Sequence, residues 1–194
     1  RYTPVADRIA AATFACACAA AGGRVELAGC APALYAPVLE ILEQMGCRVQ
    51  RGQDAAEVSR YGKLWGVGKV FTGAYPGLAT DAAPLLAAVM VCAQSGSSVE
   101  DVIFERRFGC AEGFAAMGAR VRVRGRQFSA QPGGVLRGAE VAAPDLRGGA
   151  ALVVAALAAK GKTRVSRTGC IHRGYAEFDR ELASLGAQIE REMR

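Results

Sequence analysis

The chain has 194 residues, and 52% of them are hydrophobic, which is sufficient for one domain with a large core. No apolar run reaches the ~20 residues of a membrane-spanning helix, and the first residues lack the order of a signal peptide, so we expect a cytoplasmic protein without a membrane partner. The net charge of +6 favours anionic partners such as nucleotides, phosphorylated metabolites or nucleic acid.

Three repeats organise the chain. Asp7, Asp81 and Asp145 each begin an apolar, Ala-rich segment, and each segment is followed by a second helix that ends at a glycine. The glycines at these helix ends are Gly46, Gly118 and Gly186. The repeats cover approximately residues 1–75, 76–142 and 143–194, and they predict one pseudo-threefold domain over residues 1–194 rather than a solenoid.

The predicted elements follow the same order in each repeat. Predicted helices cover residues 7–21, 33–45, 81–94, 111–117, 145–160 and 174–185. Predicted strands cover residues 24–28, 47–51, 97–103, 119–124, 163–168 and 187–190, with further strands at 69–72, 127–130 and 139–142. We assign the strand at 69–72 to the first repeat and the last two to the second. The third repeat has no such strands, so we expect that the chain is incomplete and that absent sequence supplies them.

The hydrophobic pattern predicts which elements are buried. Residues 85–91 and 150–157 are apolar on every side, which is typical of a helix surrounded by protein. The strands at 24–27 and 121–124 alternate apolar and charged residues, so each sheet should have one solvent face. These patterns predict an α/β (α+β) fold with buried helices inside and sheets outside.

The cysteines indicate reduced thiols rather than a metal site. Of seven cysteines, Cys16, Cys18, Cys47 and Cys92 lie in apolar helical patterns, where a thiol behaves as a small hydrophobic group. The Cys16-x-Cys18 spacing differs from the C-x₂-C of zinc sites, and the chain has a single His, so we expect no metal.

Candidate site residues lie at the predicted helix starts. Asp7, Asp81 and Asp145 can each cap the helix that they begin, which is a purely structural interpretation. Thr80-Asp81 and Asp145-Leu146-Arg147 also suit an anion site, because helix N-termini bind anions and a cation in the first turn opposes the helix dipole unless a ligand compensates it.

Other polar segments have two interpretations each. Phe104-Glu105-Arg106-Arg107-Phe108 is either a solvated loop with two aromatic anchors or a contact for a nucleotide or phosphate. The basic strand at 120–126 fits the solvent face of a sheet better than a nucleic-acid surface, so we expect no nucleic-acid partner. His172 is interpreted as structural. Hydrolase and kinase motifs are absent from the sequence, and Gly66-Val67-Gly68 is too short to indicate a dinucleotide site.

Six motifs occur in order and span essentially the whole chain. They are Asp7-Arg8-Ile9, Thr80-Asp81, Val102-Ile103-Phe104-Glu105, Met117-Gly118-Ala119, Asp145-Leu146-Arg147 and Ile171-His172-Arg173-Gly174-Tyr175. Together they resemble the UDP-N-acetylglucosamine 1-carboxyvinyltransferase family of enolpyruvyl transferases. The resemblance implies the C-terminal half of a two-domain protein, in which each domain is an inside-out α/β barrel of three βαβαββ units (an EPT/RTPC-like fold). It also implies that strands from the extreme N-terminus of the whole protein complete the last unit.

The resemblance also implies a reaction and a set of site residues. The reaction transfers the enolpyruvyl group of phosphoenolpyruvate to the 3-hydroxyl of UDP-N-acetylglucosamine, releases phosphate, and needs no metal or other cofactor; it is the first committed step of peptidoglycan synthesis. Asp81 matches the general base of the family, and Arg147 and Arg173 match arginines around phosphoenolpyruvate, so these three are the expected catalytic residues. The expected substrate-binding residues are Asp81, Ile103, Phe104, Asp145, Leu146, Arg147 and Arg173.

Departures from the family pattern leave alternatives open. The reactive Cys loop, the Lys-Asn pair and another phosphate-binding Arg of the family belong to the other domain, so this fragment alone is expected to be inactive. Ala10, Ala79, Arg106 and His172 stand where the family usually has Glu, Pro, Asn and Asp. The alternatives are a 3-phosphoshikimate 1-carboxyvinyltransferase, which shares fold and donor, and a non-catalytic homologue with a binding or regulatory role.

Overall fold

The computed structural model describes residues 4–192. Its α-helices are α1 (Arg8–Ala21), α2 (Ala36–Gln44), α3 (Ala83–Met90), α4 (Ala111–Ala116), α5 (Leu146–Leu157) and α6 (Phe178–Ser184). Its strands are β1 (Gly23–Ala28), β2 (Arg48–Arg51), β3 (Ala55–Arg60), β4 (Gly68–Phe71), β5 (Ser97–Glu100), β6 (Arg120–Arg124), β7 (Gln127–Gln131), β8 (Glu140–Ala142) and β9 (Arg164–Ser166). Three 3₁₀ helices cover Pro32–Tyr35, Thr80–Ala82 and Thr168–Arg173.

Three helices form the centre of the molecule. Helices α1, α3 and α5 pack against one another pairwise. Every residue of α3 is buried, and Leu152 and Val154 of α5 are inaccessible to solvent. A fully buried Leu or Val side chain contributes about 1.5–3 kcal/mol relative to its exposed state. The prediction that the wholly apolar helices lie inside is therefore confirmed.

The strands form three sheets around this centre. The first sheet has the antiparallel order β1-β3-β2, the second has the order β4-β5-β7-β6 with β4 parallel to β5, and the third pairs β8 with β9 in parallel. Strand β7 shows how each sheet uses its two faces, because Phe128 and Ala130 are buried while Gln127 and Ser129 are partly accessible. The sheets thus lie outside the helices, as predicted.

The sheets correct three sequence predictions. Strand β3 was not predicted, since Glu57 and Ser59 interrupt its apolar pattern, yet it is the central strand of the first sheet. The predicted strand at 187–190 does not form within the described residues. The strands predicted at 69–72 and 139–142 were assigned to the preceding repeat, but β4 and β8 pair with the sheets that follow, because each is the first strand of a parallel βαβ crossover.

The last helix also begins later than predicted. The sequence pattern placed its start at residue 174, but Thr168–Arg173 form a 3₁₀ helix and α6 begins at Phe178. Short 3₁₀ segments commonly precede α-helices, and sequence periodicity alone does not distinguish them. This 3₁₀ helix packs against α5 and carries Arg173 to the end of the central helices where the candidate site lies.

Two glycines allow backbone segments to approach closely at equivalent places. A Cβ on Gly66, before β4, would lie 2.2 Å from the carbonyl oxygen of Gly96, before β5. A Cβ on Gly138, before β8, would lie 2.2 Å from the carbonyl oxygen of Lys162, before β9. No side chain fits at these distances, so Gly66 and Gly138 have the same packing role in their repeats.

The repeat is also visible in backbone hydrogen bonds and helix ends. The Trp65 N–H donates to the carbonyl of Met45, and the Arg137 N–H donates to the carbonyl of Met117, both at 2.9 Å. The glycines that follow the second helices have positive φ angles of 104°, 91° and 96° at Gly46, Gly118 and Gly186. The predicted left-handed helix ends are therefore confirmed.

All seven cysteines are free thiols, and five of them are buried. Burial raises the pKa of Cys110 to about 12 and that of Cys47 to about 11, so these thiols stay protonated at neutral pH. Within residues 4–192, no group of three or more His, Cys, Asp or Glu side chains is arranged to hold a metal ion. No helix in the same range is long and apolar enough to cross a membrane.

Candidate functional site

Asp81 differs from the two other acidic residues at helix starts. Asp7 accepts the N–H of Ile9 at 2.8 Å, and Asp145 accepts the N–H of Gly148 at 2.7 Å, so both cap their helices. Helix α3 has no side-chain cap, and Asp81 lies in the 3₁₀ turn before it. The Asp81 carboxylate is therefore available for other partners.

Two arginines hold the Asp81 carboxylate from two sides. Nη2 of Arg107 lies 3.4 Å from Oδ1, and Nε of Arg147 lies 3.2 Å from Oδ2. The arginine side chains are 14% and 12% exposed, whereas that of Asp81 is 38% exposed. Because the guanidinium groups are shielded from water, their attraction to the carboxylate is stronger than that of a surface pair. The carboxylate itself remains accessible to a ligand.

Arg147 is held by aromatic and polar contacts at the start of α5. Its guanidinium carbon lies 5.3 Å from the centre of the Tyr175 ring, a cation–π distance. The Tyr175 hydroxyl is 2.7 Å from Oγ1 of Thr13, which itself donates to the carbonyl of Ile9. Burial lowers the pKa of Arg147, but Tyr175 and Asp81 outweigh that effect and raise it. Nη1 of Arg147 has no acceptor among the described residues, which leaves a buried donor at the site.

Asp101 lies behind the site and shapes the loop that follows β5. Its side chain is fully buried. Oδ1 accepts hydrogen bonds from the Thr72 hydroxyl at 3.0 Å and from the backbone N–H groups of Ile103 and Phe104 at 2.8 and 3.1 Å. An Asp side chain that accepts the N–H groups two and three residues later fixes a tight turn. The turn presents residues 102–104 to solvent.

The second oxygen of Asp101 connects this loop to Asp81. Oδ2 accepts hydrogen bonds from the hydroxyl of Thr80 and from Nε of Arg107, the latter at 3.3 Å. Burial would raise the pKa of Asp101, but the hydrogen bonds from Thr80, from the loop backbone and from Thr72 outweigh burial and lower it. Asp101 is therefore a buried anion whose charge Arg107 balances.

The exposed turn supplies an apolar surface next to this charged cluster. Ile103 and Phe104 are 46% and 51% exposed, which is unusual for large apolar side chains in adjacent positions. The Arg107 guanidinium carbon lies 4.4 Å from the centre of the Phe104 ring. A planar ring could pack on this surface while its anionic groups face the arginines.

The structure places the other expected site residues differently. Arg173 is exposed at the end of its 3₁₀ helix and has no ion pair among the described residues, but the adjacent Gly174 lies against Leu146 and Arg147. The Asp145 carboxylate is occupied by its helix cap. The structure thus brings Asp81 and Arg147 into contact and places Arg173 at the same end of the molecule.

Sequence reasoning missed three participants. Asp101 and Tyr175 received no role, and Arg107 was noted only as half of an arginine pair between aromatics. The sequence pattern placed Asp101 inside a strand over residues 97–103, but β5 ends at Glu100 and Asp101 begins a turn, for which Asp is a favoured residue. Nothing local to Arg107 indicates that it, and not Arg106, turns toward Asp81.

Comparison with known proteins agrees with this architecture. The chain matches the EPSP synthase (3-phosphoshikimate 1-carboxyvinyltransferase) family over residues 1–182, and it belongs to that family. The UDP-N-acetylglucosamine 1-carboxyvinyltransferase of Rhodopseudomonas palustris (strain BisB18) is 38% identical over 191 residues, covering 98% of this chain and 44% of the relative. The protein of that name from Nitrobacter hamburgensis is 37% identical over the same share of each.

Solved structures show the same fold. The enolpyruvyl transferase NikO from Streptomyces tendae superposes with a TM-score of 0.86 and 28% identity, covering 97% of this chain and 45% of that protein. An EPSP synthase from Acinetobacter baumannii superposes with a TM-score of 0.74 and 20% identity, over 95% and 46% of the two chains. The chain thus spans less than half the length of the relatives that it matches.

Proposed function

We propose that this domain forms one wall of the active site of an enolpyruvyl transferase that uses UDP-N-acetylglucosamine as acceptor and phosphoenolpyruvate as donor. The observation that carries the proposal is the Asp81 carboxylate between Arg107 and Arg147, beside an exposed apolar turn. The identity to UDP-N-acetylglucosamine 1-carboxyvinyltransferases over nearly the whole chain supports this acceptor.

Asp81 accepts the proton of the acceptor 3-hydroxyl in the proposed reaction. Its carboxylate is partly exposed while the arginines behind it are shielded, so the hydroxyl can approach the oxygens from the solvent side. A carboxylate within hydrogen-bond distance of a hydroxyl can remove its proton as the oxygen attacks the enolpyruvyl carbon. The two guanidinium groups fix the direction in which the oxygens point.

Arg147 and Arg173 bind the negative charge of phosphoenolpyruvate and of the phosphate that leaves. Nη1 of Arg147 has no acceptor within residues 4–192, and Arg173 is exposed at the same end of the central helices. Guanidinium groups suit phosphate because their donors match its oxygens in pairs. Such donors lower the barrier where charge develops during the transfer.

Ile103 and Phe104 contact the uridine end of the acceptor. Their exposed side chains offer an apolar surface, and the hydrogen bonds to Asp101 hold the turn in place. Asp145 and Leu146 position Arg147, because one caps α5 and the other lies against Gly174. A second domain of the whole protein supplies the remaining groups, and the reaction serves peptidoglycan synthesis in the cytoplasm.

The name of the matched family supports a second candidate acceptor, a phosphorylated shikimate. Both acceptors use the same donor, and the acceptor alone distinguishes them. Isothermal titration of the full-length gene product with each acceptor tests the choice. We expect binding of UDP-N-acetylglucosamine and none of shikimate 3-phosphate, and the opposite result would replace the proposal by its alternative.

Asp81→Asn tests the chemistry, because the amide keeps the shape of the carboxylate but does not accept a proton. We expect kcat of the full-length protein to fall by about 10²–10⁴-fold while the Kd for UDP-N-acetylglucosamine changes by a small factor. Asp179→Asn is the matched control, since the Asp179 carboxylate on α6 also pairs with an arginine, Arg191, and neither residue is proposed to bind substrate. Unchanged kcat in Asp81→Asn would contradict the proposed role.

A further inference from the structure

We infer that Asp101 is a positioning residue that holds the acceptor-binding turn and the Asp81 carboxylate in one fixed relation. The inference rests on the proposed function, since it takes residues 102–104 as the nucleotide contact and Asp81 as the base. Asp101 itself is fully buried, so its carboxylate is not accessible to a substrate.

The two oxygens of the Asp101 carboxylate serve different parts of the site. Oδ1 accepts the N–H groups of Ile103 and Phe104, which form the turn. Oδ2 accepts from Thr80, the residue before Asp81, and from Arg107, whose other nitrogen contacts Asp81. Because a carboxylate is planar and rigid, a shift of one set of partners relative to the other strains these bonds.

The partners also explain why the group is a carboxylate. All the contacts to Asp101 come from donors, namely two hydroxyls, two backbone N–H groups and one guanidinium. A carboxylate accepts bonds at both oxygens, whereas an amide would turn an NH₂ group toward one set of donors. The Arg107 cation balances the buried charge, which would otherwise be costly.

Asp101→Asn, which keeps the shape of the side chain, separates its contact with the turn from its contact with Thr80 and Arg107. Backbone N–H groups only donate, whereas the Thr80 hydroxyl oxygen, which already accepts from Nε of Arg107 at 3.0 Å, can also accept from an amide. The amide oxygen of Asp101→Asn should therefore stay with the turn, and its NH₂ should face Thr80 and Arg107. In the full-length protein, we expect kcat to fall by about tenfold, equal to ~1.4 kcal/mol, while the Kd for UDP-N-acetylglucosamine stays within about threefold. Asp101→Ala removes both oxygens, so it should weaken acceptor binding as well.

A double-mutant cycle tests whether Asp101 acts through Arg107. If it does, combining Asp101→Asn with Arg107→Lys should reduce kcat no further than the larger single effect. Thr80→Val supplies a second route to the same contact, and Asp179→Asn again serves as the control. Additive losses in kcat, or wild-type kcat in Asp101→Asn, would overturn the inference.

Hydrogen exchange separates this inference from the proposed function because it needs no substrate. In the wild-type chain, the amides of Ile103 and Phe104 should exchange slowly for an exposed turn, and Asp101→Ala should release both and also the segment around Thr80. If the Asp101 variants fail to fold, Arg107→Lys should likewise increase amide exchange in the segment around Thr80. Unprotected amides in the wild type would overturn the inference, whichever acceptor the protein binds.

Discussion

At the scale of single residues, Tyr175 joins the first and last repeats. Its hydroxyl bonds to Thr13 of α1 at 2.7 Å, and its ring stacks on Phe178 and lies beneath Arg147. Tyr175→Phe keeps the ring and removes the hydroxyl, so we expect the free energy of unfolding to fall by about 1 kcal/mol in urea denaturation. Tyr61→Phe is the control, because Tyr61 is 83% exposed. Equal stability of the two variants would show that the bond contributes nothing.

The site residues show what sequence predicts at this scale. Local patterns at helix starts drew attention to Asp81 and Arg147, and the family resemblance gave these two residues their expected catalytic roles. The contact between them is not local, since it joins two helices from different repeats. Asp101 was missed for the same reason, because its importance depends on Thr80 and Arg107, which reach it only after the chain folds.

At the scale of elements, Gly66 and Gly138 allow the two strands of each parallel pair, β4 with β5 and β8 with β9, to begin side by side. Alanine at either position would meet a backbone carbonyl oxygen at 2.2 Å, and backbone cannot move aside as a side chain can. We expect Gly66→Ala and Gly138→Ala each to lower the free energy of unfolding by about 1–3 kcal/mol or more, measured by urea denaturation. Gly169→Ala is the control, because its Cβ would meet nothing within 4 Å, and an equal loss there would refute the explanation.

The elements differ in how well sequence predicts them. The central helices were predicted because their apolar residues extend around the whole circumference, which few other structures tolerate. Strand β3 was missed because Glu57 and Ser59 weaken its apolar pattern, and its pairing with β1 and β2 is not visible in the local sequence. The false strand at 187–190 has a suitable pattern, but no described strand pairs with it. Strand formation requires a partner, and a local pattern does not supply one.

At the scale of the whole molecule, carboxylates with lowered pKa values set the response to acid. Burial alone would raise the pKa of Asp101, but its hydrogen bonds outweigh burial and lower it, and hydrogen bonds from arginine side chains lower the pKa values of Glu43 and Asp179. Each group therefore contributes stability above its unfolded pKa, about 4, and loses it as pH falls through the folded value.

We expect the free energy of unfolding to decrease as pH falls below about 4, and Asp101→Asn to flatten this dependence because it removes one of the titrating groups. Urea denaturation at a series of pH values measures both effects. An identical acid response in Asp101→Asn and the wild type would contradict the assignment of a lowered pKa to Asp101.

The mutual packing of α1, α3 and α5 governs how this polypeptide can be assembled during translation. The hydrogen bond between Thr13 and Tyr175 joins residues 162 positions apart in the sequence. Helix α5 can pack against α1 only after the ribosome has synthesised most of the domain. Until then the apolar sides of α1 and α3 stay accessible on the nascent chain. Contacts between residues far apart in the sequence slow folding, and the partly folded intermediates expose apolar surface that is prone to aggregation. We therefore expect this domain to depend on chaperones more than a helical bundle of equal size.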